Sequence, residues 1–233
     1  MLRPAMTKAL HLARDREPLG LSVCEAAAIA APPGARAQEF EFSSRGDRVT
    51  GLFLRPGSSD GPHPLVLVQH ALGDSALGVL AALGGGSVFP GAALAAVDFP
   101  LHGARADQKL FHALQSGDPR CAGLAAEFAQ QAVIDLERAL DALAALAPID
   151  AKRIGYVGFG LGAQIGAAFC ALDPRPAVVV LAPGVGDLLV GAPDSERYLP
   201  RIAPRPVLRV ADPPGAAAAA IGVFLARNLA LSP

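Results

Sequence analysis

Five short stretches of the chain are largely apolar and are typical of strands buried on both faces of a sheet: residues 65–68, 93–97, 153–157, 177–181 and 206–210. Segments with helical periodicity lie between them. The clearest has Val133, Leu136, Leu140 and Leu143 at steps of three and four residues, which predicts a long amphipathic helix against the core. Strands that alternate with helices predict an α/β fold with a mostly parallel central sheet and helices on both faces.

The first part of the chain has a different pattern. Residues 38–43 alternate polar and aromatic side chains, and the turn residues 44–47 separate them from residues 48–54, which predicts a β-hairpin. We predict that residues 1–37 form an N-terminal helical segment packed on the domain. The charges at 14–17 interrupt the apolar run that a signal peptide would need. Residues 38–233 are predicted to form one domain.

Composition limits the classes of partner. A net charge of −1 provides no basic surface for nucleic acid or for anionic lipid, and no stretch reaches the roughly 20 apolar residues of a membrane span. The expected partners are therefore a small-molecule ligand or protein, and a homo-oligomer is left open. The three cysteines are far apart, without metal-site or disulfide-framework spacing, so we expect no metal and a cytoplasmic location.

A glycine-rich turn carries the main chemical signal. Gly158 to Gly162 follow the run at 153–157 and precede an apolar helical stretch, which is the setting of the G-x-S-x-G nucleophile elbow. Gly160 occupies the position of the serine. The same glycines resemble a dinucleotide-binding fingerprint, but the next strand ends without the acidic residue that holds a ribose, so no cofactor is expected.

Five stretches occur in the order of a known superfamily: PLVLVQHALGDS at 64–75, VDFPLHGAR at 97–105, the helix and following residues at 132–151, GYVGFGLGA at 155–163 and RPVLRVAD at 205–212. From about residue 39 onward the chain resembles the α/β-hydrolases, within them the dienelactone-hydrolase and acetyl-esterase-like branches. The resemblance implies an α/β-hydrolase fold. The family's last strand and the loop that bears its histidine have no counterpart in this sequence, so we expect a C-terminally shortened version.

The resemblance also implies roles for individual residues. His70 matches the histidine at the end of the family's third strand, and the loop after it supplies one backbone donor of the oxyanion hole, here Leu72. Leu161, directly after the nucleophile position, would be the second donor. Asp98 and His102 match a loop after the fourth strand that is usually structural. Asp212 lies where the family often places its catalytic acid.

Two departures decide the expected function. No serine stands at position 160, and no histidine follows His112, whereas the family's general base comes late in the chain. If Gly160 had been introduced by engineering, this would explain the missing serine but not the missing late histidine. We therefore expect a non-catalytic homologue that binds a small molecule or a protein. The alternative is an enzyme, either a hydrolase of small esters or lactones or a lyase or isomerase, that uses His70 or His102 as its acid–base group.

Two further side chains are weighed as candidates. Ser75 could reach the cleft from the loop that carries Leu72, although a serine in a Gly-Asp-Ser sequence is usually a turn residue. Cys170 lies about three helical turns beyond the elbow, and no activating partner marks it as a nucleophile, so we expect a packed thiol.

Overall fold

A computed structural model describes residues 17–29, 31, 33–57, 61–86, 89–116, 118–184, 194–211 and 214–231. Within these ranges the strands are β1 Ser22–Glu25, β2 Ala35–Ser44, β3 Asp47–Pro56, β4 His63–Gln69, β5 Ala93–Val97, β6 Ile149–Phe159, β7 Val178–Ala182 and β8 Val207–Arg209. The helices are α1 Ala76–Ala82, α2 Gln108–Gln115, α3 Ala122–Leu146, α4 Leu161–Leu172, α5 Leu199–Ile202 and α6 Pro214–Leu229.

All the described strands join one sheet in the order β1-β2-β3-β5-β4-β6-β7-β8. Strands β5, β4, β6, β7 and β8 are mutually parallel, and β1 to β3 form an antiparallel extension that joins them through β3 and β5. The predicted mostly parallel sheet is confirmed. The carboxyl ends of β4, β5, β6 and β7 lie at one edge, where a parallel sheet of this kind binds its ligands.

Helices cover both faces of the sheet. Leu65 and Leu67 of β4 pack in one core with α3 and α4, while Val66 and Val68 pack in a second core with α1 and α6. This two-sided burial explains why the strand is continuously apolar. The stripe predicted for the long helix is confirmed, because its four aliphatic side chains are buried in the first core.

The N-terminal segment differs from its prediction. Ser22–Glu25 forms a strand antiparallel to β2, not a helix, and β2 begins at Ala35, before the predicted boundary at residue 38. The physical reason is that the open edge of β2 presents unpaired backbone groups, which β1 satisfies. Arg138 of α3 holds the preceding residues by donating to the carbonyl oxygens of Glu17 and Pro18. Residues 1–16 of the predicted helix lie outside the described residues.

The predicted hairpin is confirmed. Ser44 pairs with Asp47 across a two-residue turn, and both turn residues have positive φ, 51° at Arg45 and 77° at Gly46. These angles are those of the type I′ turn that matches the twist of paired strands. At the other end of the chain, β8 leads to α6, and the described residues form no strand after it. Among the described helices, none combines the length and apolarity needed to cross a bilayer.

Candidate functional site

The turn between β6 and α4 has the backbone geometry of a nucleophile elbow. Gly160 is buried at φ 49° and ψ −112°, a conformation that side chains with a Cβ rarely adopt. Its N–H donates to the carbonyl of Ala182 at 2.8 Å, and its own carbonyl accepts from Ala163 and Gln164 at 3.0 and 3.1 Å. The strand-turn-helix arrangement is therefore complete, but no hydroxyl is present at its apex.

The glycines on either side of Gly160 allow close backbone packing. A Cβ at Gly158 would lie 2.3 Å from the carbonyl oxygen of Gly162, and a Cβ at Gly162 would lie 2.5 Å from that of Gln69. The N–H of Gly162 donates to the carbonyl of His70 at 3.0 Å. The first turn of α4 is thus fastened directly to the end of β4.

The backbone N–H groups near this turn that have no acceptor within the described chain include those of Leu161 and Leu72. Leu161 is buried at the first position of α4, where a helix leaves its N–H groups unpaired. Leu72 is half-buried in a turn closed by a hydrogen bond from Asp74 to Ala71, with Gly73 at φ 80°. These are the two groups that the resemblance implies as oxyanion donors.

His70 has both ring nitrogens engaged with the backbone. Its Nε2 accepts from the N–H of Phe99 at 3.1 Å, so the proton is on Nδ1, which donates to the carbonyl of Ala71 at 2.8 Å. Burial lowers the pKa of His70 to about 4, which keeps the ring neutral at pH 7. His70 therefore positions the loop after β4, and no ring nitrogen is left for the acid–base role considered for it.

His102 differs from His70 in the surroundings of its Nε2 atom. Its Nδ1 lies 2.8 Å from the carbonyl of Pro100, while its buried Nε2 has no hydrogen-bond partner in the described part of the chain. Burial lowers the pKa of His102, so the ring is neutral, Nδ1–H donates and Nε2 keeps a free lone pair. The ring stands perpendicular to that of Phe111, with 5.0 Å between centroids.

Asp98 holds three segments together. Its Oδ1 accepts from the N–H of Ala76 at 2.8 Å, and its Oδ2 accepts from the N–H of Ala104 at 2.9 Å and the hydroxyl of Thr50 at 3.1 Å. Gly103 is required beside it, because a Cβ there would lie 2.1 Å from the carboxyl carbon. The carboxylate thus joins β3, α1 and the loop after β5, as expected for a structural residue.

Ser75 caps a helix. Its Oγ accepts from the N–H of Gly78 at 3.1 Å, which makes it the N-cap of α1. Ser75 also lines a cavity of about 370 Å³ between α1 and the β2–β3 hairpin, together with Glu39, Thr50 and Asp98. Gly160 is not among the described residues that line this cavity, so the cavity lies apart from the elbow.

A second cavity, of about 160 Å³, lies beside the loop after β4. Asp74, Leu101, His102, Asp107 and Phe111 contribute to its lining. It is bounded by residues that follow the carboxyl ends of β4 and β5, which is the edge where the resemblance implies a cleft. Gly160 is again absent from the lining that the described residues provide.

The comparisons with known proteins bear on the fold. No family model matches the chain, and no curated protein matches it. A proposed acetyl xylan esterase from Bacteroides fragilis superposes with a TM-score of 0.65 at 17% identity, covering 88% of this chain and 65% of that one. A cold-adapted esterase from an Arctic intertidal metagenomic library gives 0.63 at 18%, covering 88% and 99%. The chain has the α/β-hydrolase fold.

A third relative by structure is acetyl xylan esterase 1 from Thermoanaerobacterium, with a TM-score of 0.53, 17% identity and coverage of 96% of this chain and 74% of that one. This chain spans about two thirds of the length of the Bacteroides protein. At such low identity the likeness establishes the α/β-hydrolase fold and no activity.

Two further residues with reactive side chains, Cys170 and His112, are described. Burial raises the pKa of the Cys170 thiol, and its side chain lies within the core, as expected for a packed thiol. Asp212, the candidate acid, lies outside the described residues. His112 is exposed on α2. No group of three metal-ligating side chains occurs within the described ranges.

Of the residues that line the smaller cavity, the sequence analysis singled out His102 but not Asp74, Asp107 or Phe111. Asp107 carried a usable signal. Its Oδ1 accepts from the N–H groups of Lys109 and Leu110, both at 3.0 Å, and an Asp before a helical stretch is a recognised N-cap. The helix that begins there carries Phe111 to His102. No sequence pattern around His102 or Phe111 predicts that their rings are in contact.

Proposed function

We propose that this protein is an α/β-hydrolase-fold protein that lacks serine-hydrolase activity and binds a small molecule at the carboxyl edge of its sheet. The observation that carries the proposal is Gly160, which has the backbone geometry of the elbow and no side chain to attack a carbonyl. Loss of the nucleophile or the base lowers the turnover of a serine hydrolase by about a million-fold.

The histidines support the same proposal. Both ring nitrogens of His70 make hydrogen bonds with the backbone. His102 is buried, and its Nδ1 donates to the carbonyl of Pro100. No histidine follows His112 in the sequence. A general base must lie within hydrogen-bond reach of the proton that it removes, and both nitrogens of His70 and Nδ1 of His102 are already engaged with the backbone.

The unpaired N–H groups of Leu72 and Leu161 support ligand binding. A carbonyl or carboxylate oxygen of a ligand could accept from these donors, as an oxyanion does in a serine hydrolase. Without a nucleophile beside them, such a ligand would be held and not cleaved. We further propose a cytoplasmic location, because the three cysteines are free thiols.

The test is covalent labelling together with an esterase assay. Purified protein is incubated with a fluorophosphonate probe and, separately, with p-nitrophenyl acetate, with heat-denatured protein as the control. We expect no stoichiometric labelling and no hydrolysis above the control. Labelling that maps to a serine, with Ser75 examined first, would refute the proposal.

An enzymatic function is kept as a second candidate because His102 Nε2 has no partner in the described chain. A neutral imidazole with a free lone pair is the form that accepts a proton in general base catalysis. Activity of this origin on small esters or lactones, or in a lyase or isomerase reaction, would collapse in His102→Gln while the protein stays folded. Activity that survives this replacement would exclude His102 from the mechanism.

A further inference from the structure

Two arginines face each other across the β2–β3 hairpin. Arg36 of β2 is directly opposite Arg55 of β3 in the antiparallel register, so both side chains lie on the same face of the sheet. The Cβ atoms of directly opposed residues are about 4.5–5.5 Å apart, and like charges in such a pair repel each other. The hairpin therefore carries an electrostatic cost at this pair, which an anion between the two guanidinium groups would remove.

Neither guanidinium has a counter-ion in the described part of the chain. Arg36 is exposed, Arg55 is half-buried, and neither side chain forms a hydrogen bond or an ion pair with a described residue. The Nε atom of Arg55 is buried without a partner, but its two terminal nitrogens are not, so they remain accessible to a ligand. By contrast, Arg105 and Arg175 each pair with two carboxylates. A partly buried cation without an acceptor is unfavourable.

The neighbouring polar groups leave the pair positively charged. Gln38 lies two residues from Arg36 on the same face, and its amide has no described hydrogen-bond partner. Glu25 of β1 is directly opposite Gln38 and is therefore a diagonal neighbour of Arg36, at about 7–8 Å. The exposed carboxylate of Glu25 forms no ion pair with Arg36. One negative charge at that distance reduces the positive potential of two guanidinium groups and does not cancel it.

The arginine pair is remote from the elbow. Arg55 lies beside the amino end of β5, because the preceding residue Leu54 pairs with Leu94. The elbow follows the carboxyl end of β6, which runs parallel to β5 through β4. The pair and the elbow therefore lie at opposite edges of the sheet, and a ligand of one does not contact the other.

We propose that Arg36 and Arg55 bind the phosphate group of a small soluble phosphate ester. Such a group carries about −1.5 to −2 charges at pH 7, which matches two guanidinium groups, and a guanidinium can donate two parallel hydrogen bonds to its oxygens. A carboxylate would neutralise only one of the two. The net charge of −1 provides no wider basic surface for a nucleic acid or a membrane. The proposal does not depend on the proposed function.

The experiment maps binding with ¹H–¹⁵N NMR spectra of the backbone amides. Labelled protein is titrated with methyl phosphate, inorganic phosphate or acetate at constant ionic strength and about pH 7.5, above the second pKa of phosphate at about 6. We expect saturable shifts at residues 35–38 and 53–57 with both phosphates, and weaker binding of acetate. Vesicles of phosphatidylcholine with phosphatidic acid test a lipid as the source of the phosphate, and we expect no cosedimentation.

Arg36→Gln and Arg55→Gln should each weaken the binding of methyl phosphate by roughly three- to tenfold, as for the loss of a partly exposed charged hydrogen bond. Arg48→Gln is the matched control, because it removes the same charge from β3 at a side chain that pairs with Glu41, and it should leave the affinity unchanged. Glu25→Gln should tighten binding by about twofold. Without phosphate, Arg36→Gln should not lower Tm, since it removes a repulsion.

Several results would overturn the proposal: no saturable shift with methyl phosphate, equal affinity for acetate, or a loss of affinity in Arg48→Gln as large as in Arg36→Gln. Cosedimentation with the phosphatidic-acid vesicles without a response to methyl phosphate would also overturn it, in favour of a lipid headgroup. The esterase assay on the same sample judges the proposed function separately. Hydrolysis would refute that function whether or not phosphate binds.

Discussion

Replacing Gly160 by serine should restore the elbow's side chain without restoring its chemistry. At φ 49° and ψ −112° a residue with a Cβ is strained by about 1–3 kcal/mol, and glycine is not. We therefore expect Gly160→Ser to lower the free energy of unfolding by about 1 kcal/mol or somewhat more. For a protein of this size, 1 kcal/mol corresponds to a decrease in Tm of about 2–4 °C.

Thermal and urea unfolding followed by circular dichroism would measure this change. Gly160→Ala should lose a similar amount, because the strain comes from the Cβ and not from the hydroxyl. Gly123→Ser is the matched control: Gly123 is exposed in α3, has open space around its Cβ position and has no positive φ. Serine is a slightly better helix former than glycine, so this variant should not be destabilised.

Two results would refute the reasoning. Equal or higher stability of Gly160→Ser would show that the turn does not impose strain on a side chain. A burst of p-nitrophenol with an acyl-enzyme trapped on Ser introduced at position 160 would show that a base reaches it, within about 3 Å of the hydroxyl. The natural protein would then be one substitution away from a hydrolase.

Two other predictions concern stability. Burial lowers the pKa of His70 from 6.5 to about 4, so between these values the unfolded chain binds more protons, and up to about 3 kcal/mol of stability is lost as the pH falls from 6.5 to 4. Urea midpoints measured from pH 4 to 7 should therefore depend less on pH in His70→Gln than in the parent, and an identical pH dependence in the two proteins would contradict this. Asp98→Asn should lower stability by about 1–3 kcal/mol, because one amide oxygen replaces the two carboxylate oxygens that accept from Ala76, Ala104 and Thr50. Thr50→Val removes only one of these hydrogen bonds and should have a smaller effect. Equal urea midpoints for Asp98→Asn and the parent would contradict this prediction.

The parallel part of the sheet could be predicted because its strands are buried on both faces. Residues 65–68 are apolar without a break since alternate side chains enter different cores, and such a run is visible in the sequence. The strand Ser22–Glu25 could not be found in this way. Its side chains are exposed, and the strand forms because it pairs with the open edge of β2. The sequence of residues 22–25 contains no pattern that predicts this pairing.

The site was predictable at the level of position and less so at the level of role. The glycines of the elbow and the free N–H groups of Leu72 and Leu161 lie where the motif predicts them, because backbone groups depend only on the chain path. The roles of the two histidines do not. His70 and His102 differ in whether Nε2 meets a backbone N–H, and for His70 that N–H belongs to Phe99, 29 residues away.

The hydrogen bonds of Gly160 to Ala182, Ala163 and Gln164 all join main-chain atoms, as does that from Gly162 to His70. The shape of the turn therefore does not depend on which side chain residue 160 carries, apart from the strain of a Cβ. In evolutionary terms, reactivity at this position can be lost by a single codon change that leaves the architecture intact and relieves strain. A scaffold of this kind can therefore acquire or lose reactivity at the apex of the turn without any change in the path of its backbone.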